Sequence, residues 1–238
     1  MRKKKKFKFL TIKKVYIIAV LLVVALSITL GITVKVCASS SPVSQYTIVV
    51  DAGHGGIDGG CVGSVTGVTE SELNLKVAKK LEHTLTNFGF KVVMTRVSED
   101  GLYSQLAKNK KLDDMKKRKS IIEKSNADMV VSIHMNSFPN GHEHGAQTFY
   151  QTGSQSGQQL AQLIQDQLVE NLYLARANAN HSDLYILKCT NNPSVVVEGG
   201  FLTNEKDESL LITQEYQSKL AYAISCGIVK YFRMSNTI

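Results

Sequence analysis

Apolar residues along this chain fall into short runs and into stripes of three-and-four spacing, and the two patterns alternate. TIVVDAG predicts a strand from Thr47 to about Asp51, and the glycine-rich HGGIDGGCVGSVTG after it is a loop. Thr69 with Glu72 three residues on is a capping-box pattern that starts a helix. Leu73, Val77, Leu81, Leu85 and Phe88 give that helix one apolar stripe, and Gly89 stops it. FKVVMTR supplies the next strand. Strand, helix, strand with so apolar a strand core reads as a βαβ unit of a buried sheet.

A second round follows. The spacing predicts a helix over 112–125, a strand over 129–134, a loop with Pro139 and Gly141, a strand in GAQTFYQ and a helix over 158–172. LYIL reads as another short strand, ahead of the turn CTNNP and a strand over 194–198. Helices are expected over 205–212 and 216–232. The expected fold class is α/β, a single three-layer domain over 46–238 with a mostly parallel central sheet and no internal repeat.

What precedes that domain has a different character. Residues 2–14 carry eight Lys or Arg and no acid, and an uncharged stretch runs from Val15 to Val34. Twenty apolar-dominated residues can span a bilayer, with the basic block favouring an N-in orientation. A cleaved secretory signal fits as well, because Val36-Cys37-Ala38 offers small residues at cleavage positions. The expected organisation is therefore a basic region at 1–14, a transmembrane or signal segment at 15–34, a linker at 35–45, and the α/β domain outside the cytoplasmic membrane, anchored or secreted.

The leader also explains the charge. Nine of the 28 Lys and Arg lie before residue 38, leaving 19 against 20 acids in the remainder. A body with net charge near −1 gives no electrostatic reason to bind nucleic acid. One basic run remains, Lys108, Lys110, Lys111, Lys116, Lys117, Arg118 and Lys119, which reads as a solvated helix face, with contact to an anionic polymer or membrane surface as the alternative. Cys61, Cys189 and Cys226 are well separated, make no CxxC pair and cannot form an even disulfide framework.

Four residues carry candidate chemistry. Open α/β sheets place ligands outside the carboxyl ends of their strands. His54 lies just past one strand end, His134 and Glu198 end two others, and Glu70 opens the first capped helix. Two imidazoles and a carboxylate, His54, His134 and Glu70, suit a single zinc ion with one position left for water. A cation so held lowers the pKa of water from near 16 to roughly 7. Glu198 is then the base that takes the water proton. Plainer readings stand beside these: Glu70 favouring a helix N-terminus, His134 as a hydrogen-bonded core histidine. Asp51 is a candidate to orient a histidine or to cap the glycine loop, Asn136 to align substrate or tie its loop, and Arg96 to meet a carboxylate. His142 and His144 in the flexible GHEHG segment read as polar loop residues facing solvent, with a spacing that could also take up an adventitious metal.

IVVDAGHGGIDGG, TESELNL, NADMVVSIHMNS and PSVVVEGGFLTNEKDE resemble the four blocks of the zinc-dependent N-acetylmuramoyl-L-alanine amidases of bacterial walls. The resemblance covers nearly everything from Tyr46 onward. It implies zinc on His54, Glu70 and His134, Glu198 as the catalytic glutamate, and cleavage of the amide between the lactyl group of N-acetylmuramic acid and L-alanine of peptidoglycan. Within that family the compact chain and its leader look most like the amidases of spore-cortex maturation, which strip stem peptides towards muramic-δ-lactam in the forespore intermembrane space. The pattern leaves room for an activating or anchoring protein partner. The EGG at Glu198-Gly199-Gly200 departs from the commoner E-hydrophobic-G form, which changes packing beside Glu198 but removes no ligand. A zinc peptidase of wall stem peptides and a catalytically silent peptidoglycan-binding protein are the rival readings.

Overall fold

The computed structural model describes residues 45–235. The basic region, the apolar segment and nearly all of the linker lie outside the described residues. No helix among the described residues is long and apolar enough to cross a membrane.

Among the described residues six strands form one sheet: β1 (Thr47–Ala52), β2 (Lys91–Met94), β3 (Met129–Asn136), β4 (Gln147–Gln151), β5 (Asn180–Ser182) and β6 (Ser194–Phe201). Their spatial order is β2-β1-β3-β6-β4-β5. Every neighbouring pair is parallel except β4 with β6. The expected mostly parallel α/β sheet is what forms.

Strand alternation decides what each face receives. Ile48, Val50, Ala52, Met129, Val131, Ile133, Met135, Val195 and Val197 enter one apolar cluster. It is covered by α1 (Glu70–Asn87), α3 (Gln155–Asn171) and α5 (Gln214–Ser235). Leu73, Val77, Leu81 and Leu85 of α1 are fully buried there, as the stripe requires. Each such side chain contributes roughly 1.5–3 kcal/mol of hydrophobic stabilisation. Val49, Val130 and Val196 point the other way, against Ile122 of α2 (Lys110–Lys124) and against Ile186 and Leu187. By the same parity Asp51, Ser132, His134 and Glu198 belong to this second face. The smaller apolar cluster and the polar groups thus share a face.

Polar caps set the helix starts. Thr69 Oγ1 accepts from the Glu72 N–H at 3.4 Å, the cap anticipated for α1. α2 begins at Lys110, earlier than its apolar pattern indicates, because Asn109 Oδ1 accepts from the Leu112 N–H at 3.0 Å. Ser154 does the same for α3, accepting from Gly157 N–H at 3.1 Å.

LYIL departs from expectation. Tyr185–Lys188 is a 3-10 helix, with the Leu187 N–H bonded back to the Leu184 carbonyl at 3.2 Å. The place beside β4 is taken by β5. Ile186 and Leu187 are apolar because they cap the second face, not because they extend the sheet. Gly199 is explained by close approach. A Cβ there would lie 2.8 Å from Leu220 Cδ2 and 2.9 Å from Met135 Sδ. The bare position lets α5 close on β6, and Tyr216 Oη donates to the Gly199 carbonyl at 2.9 Å.

The short α4 (Glu205–Leu211) ties two loops together. Asp207 accepts from the Gly145 and Phe201 N–H groups at 2.7 and 2.8 Å. Glu208 accepts from Ser64 Oγ, the Val65 and Thr66 N–H groups and Thr66 Oγ1, between 2.7 and 3.1 Å.

Candidate metal centre

β1 delivers the chain into a loop where His54, Gly55 and Gly56 take successive positive φ values of 60°, 135° and 60°. Left-handed backbone costs a non-glycine residue such as His54 roughly 1–2 kcal/mol, so the surroundings must hold it. The turn swings His54 Nε2 to 3.2 Å from Glu70 Oε1. His134 Nδ1 reaches the same oxygen at 2.8 Å. The two imidazoles meet edge to face, their centroids 4.9 Å apart. One ligand atom from each of His54, Glu70 and His134 lies within 4.8 Å of the others. Among the described residues, this is the group able to hold a metal ion.

Each donor is held from behind. The Met135 N–H and Asn74 Nδ2 donate to Glu70 Oε1, and the Cys61 N–H donates to Oε2 at 3.0 Å. His54 Nδ1 sits 3.0 Å from Asp58 Oδ2, at ion-pair distance although off the line of a good hydrogen bond. Asp58 in turn pairs with Lys111. This is the arrangement in which a carboxylate orients a ligand imidazole. Burial opposes charge on Glu70, but His134 and His54 outweigh it and hold the carboxyl well below the usual range. Burial likewise disfavours protonation of the two histidines. Glu70, with Asp58 beside His54 and Glu198 beside His134, nonetheless keeps both above their ordinary values. Three donors converging on one point, two imidazole nitrogens and a carboxylate oxygen, fit a single divalent cation.

Glu198 is the register neighbour of His134 across β3 and β6 and points to the same face. Its Oε2 is shielded from solvent and has no hydrogen-bond partner. Burial pushes its pKa up to about 7, opposed by the His134 and His54 charges and reinforced by Glu70. An enclosed carboxylate oxygen without a partner is costly unless something else engages it. His54, His134 and Glu198 line a cleft of about 440 Å³ whose walls include Ile57, Tyr103 and Tyr185.

The remaining candidates lie beneath or beside this centre. Asp51 contacts no histidine ring in hydrogen bonding. Its carboxylate accepts from Thr95 Oγ1 (2.7 Å), Ser132 Oγ (2.6 Å) and Arg118 Nη1 (2.6 Å). Burial opposes that charge, yet Arg118, Ser132 and Thr95 lower its pKa to about 2. Arg96 meets carbonyls rather than a carboxylate, donating to those of Ala52, Gly53, Ser71 and Ser98 at 2.8–2.9 Å. Asn136 ties its own loop, its Oδ1 accepting from the Ser137 N–H at 2.8 Å. His142 and His144 stand apart, in a pocket with Tyr173 and Arg176. Cys61 lies near Glu70, but burial and that carboxylate push its thiol up to about 12, so it stays neutral. All three described cysteines are free.

Three supporting residues escaped the sequence. Asp58, not Asp51, is the carboxylate beside the candidate ligand His54. Asn74 stands one helical turn after Glu70, fully buried, and its Nδ2 also donates to the Gly53 carbonyl at 3.1 Å. Arg118 corrects the reading of the basic run as a solvated face: it is 2% exposed, while Lys111, Lys117 and Lys119 form surface ion pairs. Met115, Arg118 and Ile122 share one helical stripe, so its inward direction was available from spacing alone.

The family model described as N-acetylmuramoyl-L-alanine amidase matches residues 48–230. The germination-specific N-acetylmuramoyl-L-alanine amidase of Bacillus subtilis (strain 168) is 35% identical over 197 residues, which is 81% of this chain and 82% of that protein. The CwlD amidase of Clostridioides difficile, solved in complex with the GerS lipoprotein, has 39% identity and a TM-score of 0.77, covering 80% of this chain and 100% of that one. An N-acetylmuramoyl-L-alanine amidase from Clostridium difficile 630 has 31% identity and a TM-score of 0.71, covering 79% and 97%.

Proposed function

This chain belongs to the N-acetylmuramoyl-L-alanine amidase family, and on that premise we propose that it hydrolyses the lactyl–L-alanine amide of peptidoglycan using zinc held by His54, Glu70 and His134, with Glu198 as its acid–base group. The amidase activity on peptidoglycan follows from family membership. The metal's identity and the residue roles are our reading. The observation that carries it is the meeting of three donors beside Glu198, a half-buried residue whose Oε2 is enclosed and unpartnered.

A bound zinc ion supplies Lewis acidity, acidifying water and polarising the scissile carbonyl. The chain's own residues do the rest. Burial raises the Glu198 carboxyl above the usual carboxylate range, which makes it a better proton acceptor. It takes the proton of the attacking water and returns it to the departing nitrogen of L-alanine, so one carboxyl serves as base and then as acid. Asp58 and Asn74 fix the orientations of His54 and Glu70. Ile57 and Tyr185, large and exposed along the cleft, offer apolar walls to a stem peptide.

The biological setting is spore cortex, where removal of stem peptides prepares the muramic-δ-lactam. The likeness to a germination-specific amidase supports that setting. An export leader at 1–34 would place the site outside the cytoplasmic membrane. A lipoprotein-type partner is proposed by analogy with the solved CwlD complex. Mass spectrometry of muropeptides after incubation with the zinc-loaded full-length chain tests the reaction. Peptides with free L-alanine amino termini and intact glycan strands are expected. New termini within the stem peptide instead would overturn the amidase assignment.

A further inference from the structure

Arg118 is the largest of the fully buried side chains, and its donors are spent on one small region. Nε donates to Asp114 Oδ2 at 2.5 Å, and Nη1 to Asp51 Oδ1 at 2.6 Å and the Ala52 carbonyl at 2.7 Å. Nη2 donates to the His54 carbonyl at 2.5 Å. Two buried carboxylates therefore aim one guanidinium at the backbone of the ligand loop. Arg96 serves the same loop from another side but stops at the Ala52 and Gly53 carbonyls. Arg118 alone of the two reaches His54 itself, the non-glycine member of three successive positive-φ residues.

We propose that Arg118 is a positioning residue for metal capture: its buried fork holds the His54 backbone in the left-handed turn that aims Nε2 at Glu70. The inference rests on His54, Glu70 and His134 being the metal ligands. A lysine keeps the charge between Asp51 and Asp114 but has a single nitrogen, which cannot span both acids and two carbonyls at once. Helix α2 thus supports the metal centre through a buried residue that is not itself one of the candidate ligands.

The test compares wild type, Arg118→Lys and a core control, Leu168→Ala, as full-length chains in detergent. Zinc affinity is read by chelator competition, and the cobalt-substituted absorption spectrum reports the ligand field. Arg118→Lys should fold, bind zinc about 10- to 100-fold more weakly and show an altered cobalt spectrum. Leu168→Ala should melt earlier with affinity and spectrum unchanged. Zinc binding within twofold of wild type with the same cobalt spectrum would overturn the proposal for Arg118. Absence of zinc binding by wild type would instead remove the metal reading beneath it. If Arg118→Lys does not fold, Asp114→Asn gives the same readout, since it leaves the guanidinium without its charged anchor at Nε. A several-fold loss of zinc affinity is then expected, and no loss would overturn the proposal.

Discussion

Gly53→Ala adds one methyl group at the tightest point of the centre. A Cβ built there would lie 2.2 Å from His134 Nε2, 2.3 Å from Cε1 and 2.7 Å from Cδ2. Ordinary contact begins at roughly 3.5 Å, so ring or backbone must separate by about 1.3 Å. The backbone is poorly placed to yield. The Gly53 N–H donates to the Ile133 carbonyl at 3.0 Å, and its carbonyl accepts from Arg96 Nη2 and Asn74 Nδ2. The ring must therefore move, abandoning its 2.8 Å approach to Glu70. Because Gly53 is not among the positive-φ residues, alanine introduces no left-handed strain and the effect is steric alone. Overpacking of this kind costs about 1–3 kcal/mol, or roughly 2–12 °C in Tm for a domain of this size. A displacement near 1 Å at the reacting centre costs about 100-fold in turnover. The assays are muropeptide release, zinc affinity and thermal melting, with Gly59→Ala as control because its Cβ would meet only Thr69 Cγ2 at 3.6 Å. Activity of Gly53→Ala within twofold of wild type would show that His134 does not need its observed place.

Glu198→Gln removes the proton acceptor while keeping the shape, so zinc stoichiometry should hold and turnover should fall by about 10²–10⁴; activity within tenfold of wild type would dismiss Glu198 as the acid–base group. Asp51, held at about 2 when folded against an ordinary 3.8, contributes on the order of 2 kcal/mol of stability. That stability is complete above its unfolded pKa and is lost as pH falls through the folded value. Urea unfolding at pH 2 to 5 should show wild type losing this increment while Asp51→Asn, weaker by about 3 kcal/mol at pH 5 from the weakened Arg118 pair, loses less, so that the gap narrows as pH falls. Parallel pH slopes for the two proteins would contradict it.

Much of the centre was readable because period-two alternation is strict. Once SVVVE and MVVSIH are strands, His134 and Glu198 must fall on one face if paired in register, and they do. Thr69 fixed the entry of α1, and with it the position of Glu70. What escaped was decided across the fold. Arg118 lies 67 residues from Asp51, and its neighbours in sequence are lysines that do face water. Asp58 and Asp51 are equally plausible partners for a histidine by distance along the chain, and only the left-handed turn at His54 decides between them. LYIL carries an apolar run too short to separate a strand from a buried turn.

Glu208 grips residues 64–66 from more than 140 positions downstream, and Glu198 stands ten residues before it. A chain emerging from its amino end thus presents His54, Glu70 and His134 first, with β1 and β3 able to pair before β6 exists. All three candidate ligands are thus made before Glu198, the carboxyl proposed to handle protons. The C-terminal segment therefore acts as the late fastening of the structure, since it supplies both a central strand of the sheet and the helix that covers the core.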